Sequence, residues 1–334
     1  MQKEIKNETG IIDGNGFLQL AGWSRKPLLR FDKYLCRNRL FLHERDSYVI
    51  SDDNVTVFLS ISEKGINAQI DALIFDRQNG TIEKKSLKKY MSFGSLDMPS
   101  SSKNGDTTFS SPRVGMNFSN TALKRYIRTE FVNLSKDKNL YINLTLEEDI
   151  PESFNVVIPD KDSRKGFFLR RFAPSMKVSG VVRLGGAEYI LTSDSAKAFL
   201  DWQRYFTKSK CYYHALYADS KINGENFSLC LAGGFGDVKG VSDNCYFYKG
   251  EVIKLSQVKA YGTEEKTHKP WRFTESESGL DITFKPMLKG GHLMTETVGE
   301  KTFIFGSIYG KLNHSPSEVM EIDAMPAHLE FTVL

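Results

Sequence analysis

Apolar residues recur at every second position along this chain, in runs cut short by glycine turns. No other feature limits the fold so strongly. In Leu140-Tyr-Ile-Asn-Leu-Thr-Leu146 the aliphatic residues fall at 140, 142, 144 and 146. A β-strand sends successive side chains to opposite faces, so these four share a buried face. Val55 to Ile61 alternates more loosely. Leu123 to Leu134 places Leu123, Arg125, Ile127, Thr129, Phe131 and Asn133 on one face, with Tyr126, Val132 and Leu134 on the other. Further strands are expected at 154–158, 179–184, 227–231, 280–284, 302–312 and 328–333. Between them stand Asp13-Gly14, Asn79-Gly80, Asn104-Gly105, Gly185-Gly186, Asn223-Gly224, Lys249-Gly250 and Gly290-Gly291, residues suited to the positive φ of tight turns. Only 193–200 has helical character, and it is short. Many short strands joined by such turns predict an all-β fold of sandwiches or barrels.

A length of 334 residues favours two domains. The charged turn Asp160-Lys-Asp-Ser-Arg-Lys-Gly166 is the expected seam, giving an N-terminal β-barrel domain over 1–165 and a C-terminal one over 166–334. A single large sandwich is the alternative. The stretch Pro99 to Asp106, rich in Ser, Gly and Asn, predicts a mobile loop. Basic and acidic residues number 45 and 41 and are interspersed, so the net charge of +4 leaves no nucleic-acid footprint. No apolar run reaches the roughly 18 residues of a membrane span, and the charged N-terminus lacks a signal peptide's core. A cytoplasmic protein without an integral membrane segment is expected. Cys36, Cys211, Cys230 and Cys245 form no CxxC pair and read as buried thiols, with a disulfide among the last three as the alternative.

Polar and aromatic residues mix most densely between Leu200 and Asn244. Asp201 and Arg204 lie three apart, so on an ideal strand they face opposite sides and meet only if the chain bends. If they meet, the arginine holds the carboxyl ionised, suiting it to orient a base rather than donate a proton. The competing reading is a buried structural ion pair. Tyr212 and His214 share one strand face and could exchange a proton with a polarised alkene or carbonyl; the competing reading, the usual one for a lone histidine beside apolar residues, is that both rings pack with their polar tips hydrogen-bonded. The catalytic candidates are therefore His214, Tyr212 and Asp201. Gly233-Gly-Phe-Gly236 lacks the ending of a P-loop and predicts a tight turn or bulge with Phe235 tucked inward. Asp237, Asp243 and Asn244 match no EF-hand spacing and read as turn caps. Trp271-Arg272 and Trp23-Arg25 each offer an indole beside a cation, for stacking on a ligand or for packing across a seam. Ligand-binding candidates are Arg204, Trp202, Trp271, Arg272 and Asn244. The adjacent pairs Glu147-Glu148 and Glu264-Glu265 point apart on a strand and read as solvated. Rossmann, HExxH, zinc-finger and Gly-x-Ser-x-Gly signatures are lacking, and neither cofactor nor metal is expected.

Several motifs occur together in order: Gly22-Trp-Ser-Arg-Lys-Pro-Leu28, Asn155-Val-Val-Ile-Pro159, Leu200-Asp-Trp-x-Arg204, Gly233-Gly-Phe-Gly-Asp237, Asn244, Lys269-Pro-Trp271, Thr283-Phe-x-Pro286 and Phe305-Gly306. In this the chain resembles a microbial family known as domain of unknown function 2804. That family is similar to calycin-like proteins that include carotenoid 1,2-hydratase (hydroxyneurosporene synthase) and AttH. The resemblance implies two tandem lipocalin-like antiparallel β-barrels packed together, and hydrophobic small molecules, often isoprenoid, as ligands. The chain departs from the family's Asp-x-Gly-Arg-Gly, with Gln203 and Tyr205 in place of the two glycines.

The reading favoured here is binding of a hydrophobic small molecule such as a lipid or isoprenoid, with acid/base-assisted hydration or rearrangement left open. A carbohydrate-binding or carbohydrate-active β-sandwich is the second reading and requires the three tryptophans to line an open groove. A non-catalytic interaction module is the third. A homodimer is left open.

Overall fold

In a computed structural model, residues 2–37, 39–121, 123–149, 151–262 and 268–334 are described. The pair Glu264-Glu265 lies outside them. Among the described residues two single-turn 3-10 helices, Lys33–Leu35 and Arg39–Phe41, accompany the strands, and there is no α-helix. No helix there is long and apolar enough to cross a membrane. The protein is all-β: two tandem antiparallel sheets, each curled into a barrel-like half and packed against the other.

The first, thirteen-stranded sheet runs in spatial order Thr81–Lys89, Asn67–Asp76, Val55–Lys64, Leu42–Ser51, Lys197–Phe206, Phe167–Leu184, Lys138–Glu147, Lys124–Ser135, Val114–Asn120 and Thr107–Ser110. Phe154–Pro159 and Ala187–Leu191 add to the two ends of the long Phe167–Leu184 strand. The second, ten-stranded sheet is centred on Tyr212–Ile222, Glu318–Val333 and Lys301–Ser315. Neighbouring strands are mostly hairpin-connected, as the glycine turns require.

The sheets change over between Phe206 and Tyr212, not at the expected seam near 165. Lys197–Phe206 zips onto Leu42–Ser51 along its whole length, from Lys197 opposite Ser51 to Phe206 opposite Leu42. The charged 160–166 turn closes a hairpin within the first sheet, with the Asp160 amide on the Gly166 carbonyl. Its charge reflects solvation of a loop rather than a domain junction. The expected helix at 193–200 is also replaced. One turn, closed by the Ser195 and Ala196 amides on the Thr192 carbonyl, leads straight into a strand at Lys197.

Three apolar layers result. One fills the first barrel and includes Ile61, Ile74, Ile127, Ile142, Leu144 and Trp202. Another fills the second and includes Phe227, Phe273, Phe284, Ile304, Ile308 and Trp271. The third lies between the sheets, where Phe58 meets Phe303 at 4.7 Å and Phe75 meets Phe305 at 4.5 Å between ring centres. Each buried phenylalanine contributes about 1.5–3 kcal/mol. Of the residues expected on one face of the 124–135 strand, Arg125, Ile127, Thr129 and Phe131 turn inward, while Leu123 and Asn133 are exposed. A register shift after Phe131, with Asn133 at φ 55°, then turns Leu134 inward as well.

Candidate functional site

Lys197–Phe206 is buried on both sides, because a barrel interior covers one face and the second sheet covers the other. Ala198, Leu200, Trp202, Arg204 and Phe206 enter the first barrel. Phe199, Asp201, Gln203 and Tyr205 face the second sheet. Asp201 and Arg204 therefore never meet, as alternation on a straight strand demands.

Asp201 finds its partner on the neighbouring strand. Arg170 Nε donates to Asp201 Oδ1 at 2.7 Å, while Gln203 Nε2 and the Tyr217 hydroxyl donate to Oδ2 at 2.7 and 3.0 Å. The same guanidinium reaches the Tyr217 hydroxyl at 2.6 Å, the Tyr213 hydroxyl at 3.2 Å and Cys230 Sγ at 3.1 Å. Tyr213 in turn donates to Asp243, which stands 3.7 Å from Arg170. Burial pushes both tyrosines well above the ordinary phenol value, with Arg170 opposing, so both stay protonated. Burial likewise pushes the Cys230 thiol up to about 12. Cys230 and Cys245 face each other across two strands, yet all four cysteines are free. One arginine thus joins two carboxylates and two phenols in the dry layer between the sheets, an arrangement that fixes their relative position. Gln203 adds a donor to it. Tyr205 stacks on His43 at 4.6 Å.

Arg204 enters a second polar cluster, inside the first barrel. It is fully buried, donates to Asp46 Oδ1 at 2.8 Å and to the Pro99 carbonyl at 2.8 Å, and lies 3.3 Å from Glu44. Its guanidinium carbon sits 4.2 Å from the centre of the Trp202 ring. Arg125 and Arg171 both donate to the Ser102 carbonyl, at 2.8 and 2.9 Å, and both hold Glu148. Burial works to raise the Glu148 pKa, but Arg171 and Arg125 outweigh it and keep the carboxyl below its ordinary value. Glu148 is therefore a half-buried anion paired with two arginines and not the solvated group expected, while its neighbour Glu147 points outward, to Lys124. The 99–106 stretch, expected to be mobile, is a strap tied to the barrel through Pro99 and Ser102 by three buried arginines.

Beneath that strap lies a cavity of about 270 Å³, lined in part by Leu29, Phe31, Ser102, Leu169, Arg171 and Trp202. The buried Trp202 Nε1–H has no hydrogen-bond partner. A larger surface cleft, about 750 Å³, runs past Trp23, Arg25, Lys239 and Lys254. Lys254 is held there by Ser242 Oγ at 2.9 Å and by the Asn244 and Leu255 carbonyls, and burial lowers it to about 8.

The remaining candidates scatter. His214 lies in the second barrel, 5.9 Å from the Trp271 ring, and burial lowers its pKa, with Asp243 only partly opposing. Tyr212 is 65% exposed. The phenols that face Asp201 are Tyr213 and Tyr217, on the opposite side of the same strand. Arg272 is exposed and forms a two-pronged pair with Asp281 at 2.7 and 2.6 Å. Asn244 accepts the Ala232 amide at 2.7 Å, which makes it structural. Asp237 caps its turn as expected, and Phe235 is buried as expected. Gly234 is needed in that turn, since a Cβ there would stand 1.9 Å from the Tyr212 carbonyl oxygen and φ is +107°. Among the described residues no group of His, Cys, Asp and Glu is placed to hold a metal ion. Trp23, Trp202 and Trp271 are all buried, at 5, 5 and 4% exposure, which removes the sequence basis for a sugar-stacking groove. Arg170, Arg171, Tyr213 and Tyr217 were not foreseen. Arg170-Arg171 inside an apolar run, Phe167 to Ala173, was the available signal.

Residues 2–332 match the family model described as domain of unknown function DUF2804. The chain belongs to that family. No curated protein matches the DUF2804 chain by sequence. Its fold is similar to the crystal structure of an AttH-like protein from Nitrosomonas europaea, with a TM-score of 0.51 at 10% identity over 87% of this chain and 92% of that one. Kievitone hydratase from Nectria haematococca is similar too, with a TM-score of 0.51 at 12% identity over 87% of this chain and 88% of that one. At such identities the likeness concerns the fold.

Proposed function

We propose that this protein binds a small hydrophobic molecule in the first barrel, beneath the 99–103 strap. One observation carries the reading. The cavity of about 270 Å³ is lined in part by Trp202, whose buried indole N–H has no hydrogen-bond partner. Leaving such a donor unsatisfied costs about 1–3 kcal/mol, and a ligand oxygen that reached it would relieve that cost. The volume falls just below the range of small-molecule sites, roughly 300–1,000 Å³, so it suits a small ligand. Leu29, Phe31 and Leu169 supply apolar wall, and Arg171 supplies a cation at its edge. The fitting ligand has a short apolar body and one carbonyl or carboxylate acceptor.

Turnover of the hydration type is the further step of this reading, supported by kinship of fold with a protein named a hydratase. Glu148 does not supply its proton, since two arginines keep it ionised. The protonated groups beside a carboxylate are Tyr213 and Tyr217, and they lie between the sheets, away from the cavity.

Native mass spectrometry of the purified protein, followed by titration with anilinonaphthalene sulfonate as an apolar anionic probe, tests the binding. A bound mass or saturable probe fluorescence is expected, with affinity reduced roughly 5–30-fold in Trp202→Phe, the worth of one buried hydrogen bond. Absence of both signals, or an unchanged affinity in Trp202→Phe, would remove the cavity as the site.

A further inference from the structure

A patch of large apolar side chains stands exposed at one end of the first barrel. Strand Thr81–Lys89 runs into a turn that presents Tyr90, Met91 and Phe93 at 71, 71 and 65% exposure. Met91 and Phe93 sit at φ 55° and 48°, a left-handed conformation that bulky residues avoid. Their outward direction is therefore imposed by the turn and not by a lack of alternatives. The Ser92 and Phe93 amides donate to the Ile66 carbonyl at 2.7 and 3.4 Å, which ties this tip to exposed Ile66. The Leu40 carbonyl lies close against Gly65, bringing the Arg39–Phe41 turn and its exposed Phe41 alongside. Scattered surface hydrophobics are ordinary, whereas a contiguous patch marks an interaction surface.

The rim of this patch is basic. Lys88 and Lys89 precede the tip and are exposed. The Arg39 guanidinium lies 5.4 Å from the Tyr34 ring centre, and the Lys208 ammonium 5.5 Å from that of Phe41. Of the nearby acids, Asp97 is paired with Lys33 at 2.6 Å, Glu63 is buried and occupied by Ser92, and exposed Asp32 caps the Lys33–Leu35 turn by accepting the Tyr34 amide. Exposed aromatic and aliphatic side chains ringed by lysine and arginine match a membrane interface, where rings and thioethers enter the headgroup region and cations meet anionic lipid.

We propose that this end of the first barrel docks on an anionic lipid surface, with Tyr90, Met91 and Phe93 inserted and Lys88, Lys89, Arg39 and Lys208 against the headgroups. The tip continues through Asp97 and Pro99 into the strap that walls the barrel cavity, so the docked end and the cavity's cover are one segment. The docking stands whether or not the cavity takes a ligand.

Vesicle flotation tests it, with phosphatidylcholine alone against phosphatidylcholine containing phosphatidylserine, at low and high salt. The protein is expected to float with the anionic vesicles and to be released by salt. A Lys88→Gln, Lys89→Gln variant should lose roughly fivefold per lysine, about 25-fold together. Met91→Asn, Phe93→Asn should abolish flotation while folding normally, because asparagine accepts left-handed φ better than methionine or phenylalanine. Thermal unfolding of each variant checks that the fold is kept. No flotation of the natural protein at low salt overturns the proposal, as does full flotation of the asparagine variant. Concentration-dependent self-association that the asparagine variant alone removes also overturns it and assigns the patch to a second copy of the chain.

Discussion

The two barrels share a strand pattern but fill their interiors differently. The second is closed by rings and aliphatic chains, with Trp271 wedged among His214, Phe273 and Phe331. The first is apolar at its centre but carries Arg125, Arg171, Arg204, Glu44, Asp46 and Glu148 at the end under the strap. Both bury a tryptophan whose Nε1–H lacks a partner, and Trp202 lines the cavity under the strap while Trp271 is packed against rings. An orphan donor in a packed wall is a tolerated cost, whereas one in a cavity wall is a place for a ligand. A barrel held partly by ion pairs can keep such a space open, since its arginines span what side-chain packing would otherwise fill.

The sharpest way to break this contrast is to remove a single interaction from each interior. Arg204→Met leaves Asp46 and Glu44 buried without their cation and frees the Pro99 carbonyl, so urea denaturation should register a loss of about 3–5 kcal/mol. Phe284→Ala in the second barrel should cost about 3–5 kcal/mol as well, but through a cavity rather than a charge. A second substitution then separates them. Adding Asp46→Leu to Arg204→Met should recover part of the first loss, while no charge change recovers the second. A cost under about 1 kcal/mol for Arg204→Met would mean that the first barrel does not depend on its ion pairs.

Acid tests the seam between the sheets. Burial, with Lys64 and Arg45 adding, lowers His43 to about 3, so the folded protein holds it neutral. As pH falls below about 6.5 the unfolded chain takes up a proton that the folded chain refuses. Stability is then lost at about 1.4 kcal/mol per pH unit until pH 3, or about 2 kcal/mol by pH 5. His43→Phe, which preserves stacking on Tyr205, should flatten that slope in denaturation curves at pH 7 and 5. An unchanged slope would place the acid sensitivity elsewhere.

The smallest expected effect is also the most discriminating. Trp271→Phe removes an unpaired buried N–H along with some packing, so its cost should stay under about 1.5 kcal/mol and probe binding should not change. Trp202→Phe should alter stability as little and yet weaken binding. Equal binding in both variants would erase the distinction between the barrels.

Most strands were legible because alternation survives wherever one face is wet. Residues 138–147 and 124–131 announce their buried faces directly. It fails at 197–206, where both faces are covered, and at the Phe167–Ala173 run, where polar residues are buried beside apolar ones. The charged residues of the 200–244 stretch therefore looked like one pocket. They are instead divided among the first barrel (Trp202, Arg204), the second barrel (His214) and the layer between sheets (Asp201, Tyr213, Tyr217, Asp243). Parity already separated Asp201 from Arg204 and Tyr212 from Tyr213. It did not say which of those faces would meet a partner.

By itself, then, the sequence determined the strand content, the hairpin turns, three of the four expected buried thiols (Cys211 is half-buried) and the two-barrel fold implied by its family motifs. Those depend on short-range geometry, on side-chain period and on turn conformation. Only the tertiary structure decided that residues 167–206 close the first sheet, that Arg170 and not Arg204 holds Asp201, and that three arginines tie down the 99–103 strap. These outcomes depend on pairing between strands far apart in sequence, and a local period of two carries no information about which distant strand lies alongside.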